Sequence, residues 1–307
     1  METLKQLLAK PERLAPGHRT CQGCAMPIIV RSVLRATDKP VVIANATSCL
    51  EVTTTLYPQS SWKVPWIHSL FENAPPTMSG VIAVYEQLKR KKKIKEDVKF
   101  IVFGGDGSTY DIGLQSLSGA WERRDNFLYV CYDNEAYQNT GNQRSSATPL
   151  GAITTTTPLG KFYKGKLKSR KNIMKIAEAH ELPYLAQAGV HNWVDLHQKA
   201  KKAIEINGPT FLNVLSPCVA GWKYDSSLTI EIAKLATETC FWPLYEIEDG
   251  KYRLNYKPAK KLPIKEFIKS QGRLKHLLEP KNKNILDNLQ SEVDRRWTDL
   301  LKRVEKN

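Results

Sequence analysis

"FIVFGGDGSTYDIG" (residues 100–113) decides how this chain is read. Its first four residues are apolar and follow Val98, so the segment 98–107 reads as a buried strand that runs into a turn. The turn is Gly104-Gly105-Asp106-Gly107. Glycines there let the backbone bend sharply and lie close to a ligand. The amides of such a turn, with those of a following helix N-terminus, favour phosphate. Asp106 adds a hard oxygen of the kind Mg²⁺ uses while bridging to phosphates. Alone, the same tetrapeptide is also an ordinary tight turn.

A second element gives the turn its meaning. The spacing predicts a helix over 111–124 and another buried strand over 126–134, "NFLYVCYDN", ending in Asp133-Asn134. From Ser108 to Tyr132 there are 25 residues, so a strand–turn–helix–strand unit would set Asn134 beside Asp106 on one rim. This is the spacing of the thiamine diphosphate motif, with Asp-Asn where Asn-Asn is usual. On that reading Gly105, Asp106, Gly107 and Ser108, with Asn134, receive the cofactor. Asp106, Asn134 and the Ala136 carbonyl hold Mg²⁺.

Outward from this unit, strands are expected at 40–46, 184–189 and 208–218, and helices at 26–37, 75–90, 171–182 and 193–206. Continuous apolar strands alternating with helices argue for an α/β fold, a mostly parallel sheet with helices on both faces. Ligands of such sheets sit beyond the carboxyl ends of the strands, near a switch in strand order. The Gly-Asp-Gly turn, Asp133-Asn134, the Cys49 segment and Cys218 all follow predicted strands and could share one rim. Residues 1–255 read as the cofactor domain, with residues 1–20 a leader segment wrapping it. Residues 256–307 read as a basic C-terminal helical extension. There Ile285, Leu289, Val293, Trp297, Leu300 and Val304 form a helical stripe that must be covered by the chain's own domain or by a partner.

Composition bounds the classes. The chain has 307 residues, a net charge of +15 and an ordinary apolar fraction of 41%. No secretory signal is visible and no apolar run approaches the ~18 residues of a membrane helix. A cytoplasmic, soluble protein with no membrane partner is expected. The basic runs 89–95 and 164–171 read as solvated faces. They are not interleaved with stacking aromatics, which argues against nucleic acid.

Six cysteines are present. Cys21-Gln-Gly-Cys24 has the look of a metal knuckle, while Cys49 and Cys218 come after strands. Four thiolates bind Zn²⁺ or a [4Fe–4S] cluster, and spacing alone does not separate the two. A thiamine site beside them favours the cluster, because zinc accepts no electrons. Cys131 and Cys240 read as structural.

Taken together, "APGHRTCQGC", "ANATSCLE", "VPWIHSLFENA", "GGDGSTYDIGLQSLSGA", "YVCYDNEAYQNTGNQRSSATPLGA" and "LSPCV" resemble the beta subunits of 2-oxoacid:ferredoxin oxidoreductases, most closely the pyruvate type. The resemblance covers nearly the whole chain from about residue 14. It implies the thiamine diphosphate-binding fold and a [4Fe–4S] cluster on Cys21, Cys24, Cys49 and Cys218. It also implies an alpha subunit carrying the aminopyrimidine half-site, gamma/delta-type subunits, and ferredoxin, pyruvate and coenzyme A as partners. By the same likeness Asn139 lies near the thiazolium and substrate, and His68 and Asn73 line that cavity, although His68 also reads as a hydrogen-bonded core histidine. The implied activity is oxidative decarboxylation of pyruvate to acetyl-CoA and CO₂. The alternative is the same machinery acting on 2-oxoglutarate, a branched-chain 2-oxoacid or oxalate. Two departures from the family's usual pattern, Cys24-Ala25-Met26 and Thr47-Ser48-Cys49, remove no ligand.

Overall fold

The computed structural model of the chain describes residues 3–306; residues 1, 2 and 307, at the outer ends of the expected leader and tail, lie outside them. Among the described residues one eight-stranded sheet has the order β2-β1-β3-β4-β6-β5-β7-β8. The strands are β1 (Val41–Ala46), β2 (Trp66–Ser69), β3 (Lys99–Gly105), β4 (Leu128–Asp133), β5 (Tyr184–Gly189), β6 (Thr210–Leu215), β7 (Tyr245–Glu248) and β8 (Lys251–Leu254). The first six are parallel, and β7 and β8 are antiparallel additions at one edge.

Helix α1 (Leu4–Ala9) opens the chain and α2 (Met26–Leu34) leads into β1. After β1 comes α3 (Cys49–Thr54); α4 (Ala74–Arg90) then links β2 to β3, and α5 (Leu114–Glu122) links β3 to β4. Helix α6 (Ile173–Glu178) precedes β5 and α7 (Trp193–Glu205) joins it to β6. Helices α8 (Val219–Trp222) and α9 (Thr229–Glu238) follow β6, and α10 (Ile264–Lys269) and α11 (Lys283–Glu305) follow β8.

Strands β4, β5 and β6 are buried at every position, as central parallel strands covered on both faces must be. One face packs Ile29, Val30 and Val33 of α2 and Leu196 and Ala200 of α7 against Ile43, Phe103 and Val130. The other packs Met78, Leu117 and Trp121 against Val102, Tyr129 and Phe211. A third cluster, around Trp222, Trp242 and Phe267, joins the end of the sheet to α9, α10 and α11.

The register sets four strand ends level. Gly105 pairs with Tyr132 and Tyr132 with Val214, while Asn45 of β1 pairs with Phe103. Chain leaving β1 goes to β2 on one side, and chain leaving β3 goes to β4 on the other. The switch point therefore lies between β1 and β3, where the segments bearing Cys49 and Asp106 emerge.

Several elements differ from the expected ones. The helix expected over 111–124 begins as a π turn, Gly107–Asp111, and becomes α-helical only at Leu114. The wide turn folds onto Gly113, where a Cβ would lie 2.1 Å from the Ser108 carbonyl oxygen. The 171–182 helix starts at Ile173 because Asn172 caps it, accepting from the Lys175 amide at 3.1 Å. Strand β2 and the β7–β8 hairpin were not foreseen. The hairpin turns at Asp249 (φ 46°) and Gly250 (φ 78°), and Asp-Gly between alternating segments was its signal in the sequence. The basic run 164–171 is not wholly a solvated face, because Lys166 and Arg170 are buried.

The C-terminal stripe is covered by the chain's own domain. Leu289, Val293 and Leu300 are buried, with Ile285, Trp297 and Val304 packed against the same clusters. Leu289→Ala should therefore lower the unfolding free energy by about 2–5 kcal/mol, whereas Lys302→Ala on the exposed face should change it by less than about 0.5 kcal/mol. Chemical denaturation of the full chain measures both, and equal effects would contradict this packing.

Candidate functional site

At the carboxyl ends of β3 and β4 the chain buries three acidic side chains within a short distance of one another. Asp106 is 1% exposed, and Asp133 and Glu135 are fully buried. Arg170 bridges the latter two, with Nη2 donating to Asp133 Oδ2 and Nη1 to Glu135 Oε1, each at 2.6 Å. Arg273 donates to Glu135 Oε2 at 2.5 Å, and the Tyr110 hydroxyl to Asp133 Oδ2 at 2.6 Å. Three carboxylates face two guanidiniums, so the cluster is complementary to one further cation.

Asp106 is the member without a basic partner. Its Oδ2 accepts from the Ser145 hydroxyl at 2.5 Å, which leaves Oδ1 turned toward Asn134. Burial, and then repulsion from Asp133, pushes its carboxyl well above the usual carboxylate range, against the pull of the Ser145 bond. One end of the Asn134 amide sits 2.8 Å from Asp106 Oδ1 and 2.7 Å from the Ala136 carbonyl oxygen. With its nitrogen inward the amide donates to both. With its oxygen inward three oxygens converge, at separations close to the ~2.9 Å edge of an octahedron with Mg–O bonds of ~2.1 Å. Asp106, Asn134 and Ala136 thus fit a small divalent cation.

The pocket beside them is lined by Gly105, Asp106, Gly107, Ser108, Asn134, Ala136 and Asn139, together with Thr47, Cys49, Phe71 and Tyr132. Gly107 is required there, since a Cβ on it would lie 2.2 Å from the Tyr137 ring. Ser108 and Thr109 donate to the Gly105 carbonyl at 2.9 and 2.7 Å, holding the turn at the foot of the pocket. Asn139 is exposed on the rim. His68 and Asn73 do not form the wall. His68 is not a core histidine: it is exposed on β2, its Nε2 2.7 Å from the hydroxyl of Thr47, a wall residue. Asn73 takes the N-cap position of α4, and its amide hydrogen-bonds the Leu70 carbonyl.

Cys21, Cys24, Cys49 and Cys218 come together from three segments and are free thiols. A charge on any one is felt by its neighbours, and burial pushes the Cys24 and Cys49 thiols up to about 12. Thiols this buried ionise only for a cationic centre that repays their desolvation. The Gly221 amide donates to Cys218 Sγ at 3.4 Å. Gly23, between the first pair, has φ 74°, and a Cβ there would lie 2.3 Å from the Ser226 carbonyl oxygen. Among the described residues no three His, Cys, Asp or Glu side chains converge closely enough for a single ion. Cys131 and Cys240 are buried in the core. Ser48, one of the two departures, donates to the Ala46 carbonyl at 2.9 Å and accepts from Tyr132, tying β1 to β4 beside Cys49.

Residues 46–214 match the family described as "Thiamine pyrophosphate enzyme, C-terminal TPP binding domain", which takes in both the Gly-Asp-Gly turn and Asp133-Asn134. Pyruvate synthase subunit PorB of Thermotoga maritima is 52% identical over 294 residues, 94% of this chain and 91% of that protein. The chain belongs to this family of 2-oxoacid:ferredoxin oxidoreductase beta subunits. A second member, pyruvate synthase subunit PorB of Methanocaldococcus jannaschii, is 51% identical over 88% of this chain and 91% of its own. Ketoisovalerate oxidoreductase subunit VorB of Pyrococcus abyssi is 40% identical over 99% and 98%. Among solved structures, 2-oxoglutarate:ferredoxin oxidoreductase from Magnetococcus marinus shares the fold, with a TM-score of 0.55, 20% identity, and coverage of 74% of this chain and 82% of that one.

Ser145, Arg170 and Arg273 were not singled out from the sequence. Ser145 lies in the quoted "GNQRSSATPLGA" segment, a polar, glycine-bearing loop that a closer reading could have aimed at the site. Arg170 was concealed in a basic run. Arg170→Leu should destabilise the chain by about 3–5 kcal/mol by stranding the buried Asp133 carboxylate and leaving Glu135 to Arg273 alone. Denaturant titration reads this, and a loss below about 1 kcal/mol would show that the network is relieved by some other route.

Proposed function

We propose that this chain is the beta subunit of a pyruvate:ferredoxin oxidoreductase that converts pyruvate and coenzyme A to acetyl-CoA and CO₂, passing electrons through a [4Fe–4S] cluster to ferredoxin. The observation that carries the reading is Cys49, which lines the cofactor pocket and also belongs to the four-thiol set. One residue thus joins a thiamine diphosphate pocket to a redox centre.

Bound thiamine diphosphate supplies the nucleophilic carbon and electron sink for decarboxylation, and the cluster supplies a one-electron acceptor. The protein's part is to bind and orient. Asp106, Asn134 and the Ala136 carbonyl hold Mg²⁺, while Gly105, Gly107 and Ser108 admit the diphosphate at the start of the π turn. Ser145 fixes Asp106 so that one oxygen faces the metal. Asn139 on the rim approaches the substrate. His68 Nε2, bonded to the Thr47 hydroxyl, stands one relay step from the cavity and can hold or pass a proton there. Asn73, at the start of α4, supports the same side of the cavity.

Cys21, Cys24, Cys49 and Cys218 hold the cluster. A cluster suits them better than zinc because, beside a thiamine diphosphate pocket, it accepts electrons that zinc cannot. The alpha subunit completes the site with the aminopyrimidine half, and gamma/delta-type subunits carry electrons onward. The assembly acts in the cytoplasm; no helix among the described residues is long and apolar enough to cross a membrane. Pyruvate is favoured because the pyruvate synthase relatives are more similar than the ketoisovalerate one.

Two measurements test this. Anaerobically purified chain should carry about four iron and four acid-labile sulfide, and one zinc without sulfide would overturn the redox assignment. The assembled complex should reduce viologen fastest with pyruvate in a panel that includes 2-oxoglutarate and 2-oxoisovalerate. Ser145→Ala should weaken Mg²⁺–thiamine diphosphate binding by roughly tenfold, the loss of one charged hydrogen bond, and Asp106→Ala should abolish it. A faster rate with another 2-oxoacid would move the substrate and leave the machinery in place.

A further inference from the structure

A second space, apart from the cofactor pocket, lies on another side of the sheet. It is a cavity of about 220 Å³ between the end of the sheet and α11. A 150 Å³ apolar cavity already admits benzene, so this space exceeds what side-chain packing leaves by accident.

Its lining joins apolar and aromatic side chains, Trp242, Tyr245, Ile173 and Leu300, to buried polar ones, Arg170, Gln187 and Asn213. One polar atom there lacks a partner. Asn213 is 1% exposed, its Nδ2 donates to the Tyr110 hydroxyl at 3.0 Å, and its Oδ1 accepts from nothing. A buried carbonyl oxygen left open costs about 1–3 kcal/mol. Basic side chains predominate around it. Lys171, Lys175, Arg295, Arg296 and Arg303 outnumber Glu292 and Asp299. Arg295 is exposed, with a side-chain exposure of 65%.

We propose that this cavity is a binding site for a small organic anion with a planar apolar body and a hydrogen-bond donor at its far end. The donor satisfies Asn213 Oδ1, the body lies along Trp242 and Tyr245, and the carboxylate or phosphate meets the arginines of α11. The site stands apart from the proposed activity. Yet it shares the Asn213–Tyr110–Asp133 hydrogen-bond chain with the carboxylate cluster, so occupancy is sensed next to Asn134.

The probe is 4-hydroxybenzoate, titrated calorimetrically into the full chain, with benzoate lacking the donor and 4-hydroxybenzamide lacking the charge. One saturable site per chain is expected, with each control weaker by roughly fivefold, the worth of one hydrogen bond or one exposed charge contact. Arg295→Glu, a surface change that leaves the core untouched, should weaken the probe by a similar factor. Leu300→Trp should fill the cavity and remove binding. Absence of saturable binding, equal affinity for all three compounds, or indifference to Arg295→Glu would each overturn the proposal. If Leu300→Trp fails to fold, the Arg295 variant and the two controls still decide.

Discussion

Three carboxylates cannot be buried side by side without opposite charge, and in this chain that constraint organises everything around the pocket. Asp133 and Glu135 are answered by Arg170, from the loop before α6, and Arg273, from beyond the last strand. Asp106 is answered only by a hydroxyl. The protein thus neutralises the outer pair internally and leaves the inner carboxylate for a ligand. Without Arg170 the cluster would have to protonate or open, and the strand ends that carry Asn134 would lose their anchor.

The same ion pairs explain a backbone oddity. Glu135 adopts φ 65°, a left-handed conformation that a non-glycine residue seldom takes. Two guanidiniums grip its side chain, and the Thr148 hydroxyl donates to its carbonyl at 2.6 Å. These contacts over-determine the strained residue. The reversal it produces brings the Ala136 carbonyl back to within reach of the Asn134 amide. The oxygens of Asp106, Asn134 and Ala136, brought from the ends of neighbouring strands, converge only because of that turn.

Much of this was legible in the sequence where chemistry and spacing coincide. The 25-residue interval predicted that Asp106 and Asn134 would meet, because a parallel strand–helix–strand unit has little freedom in where it returns. The buried strands read correctly because an apolar run between turn signals has few other uses. What stayed hidden was long-range or disguised. Arg170 sits in a string of lysines, and only the tertiary structure shows that this one member points inward. Ser145 is one serine of several in a loop. The π turn leaves no periodic mark, since it is enforced by contact between Ser108 and Gly113. His68 read equally well as core or as cavity, and its exposed place on the edge strand β2 was decided by a strand too short to announce itself.

The switch in strand order sets where Cys49 and the Gly-Asp-Gly turn emerge. Between β1 and β3 the chain departs in opposite directions, which opens a crevice at the carboxyl ends of the strands. The segment leaving β1 enters α3 at Cys49, and the segment leaving β3 enters the π turn at Asp106. A thiol and a carboxylate thereby flank one opening by topology alone. Cys218 beyond β6 reaches the same rim because β6 and β4 end level with β3, while Cys24 precedes α2, the helix that leads into β1. Electron transfer weakens steeply with distance, so a redox centre is useful only where it meets the reacting cofactor. A sheet that brings four thiols and a diphosphate pocket to one crevice satisfies that demand before any partner subunit is added.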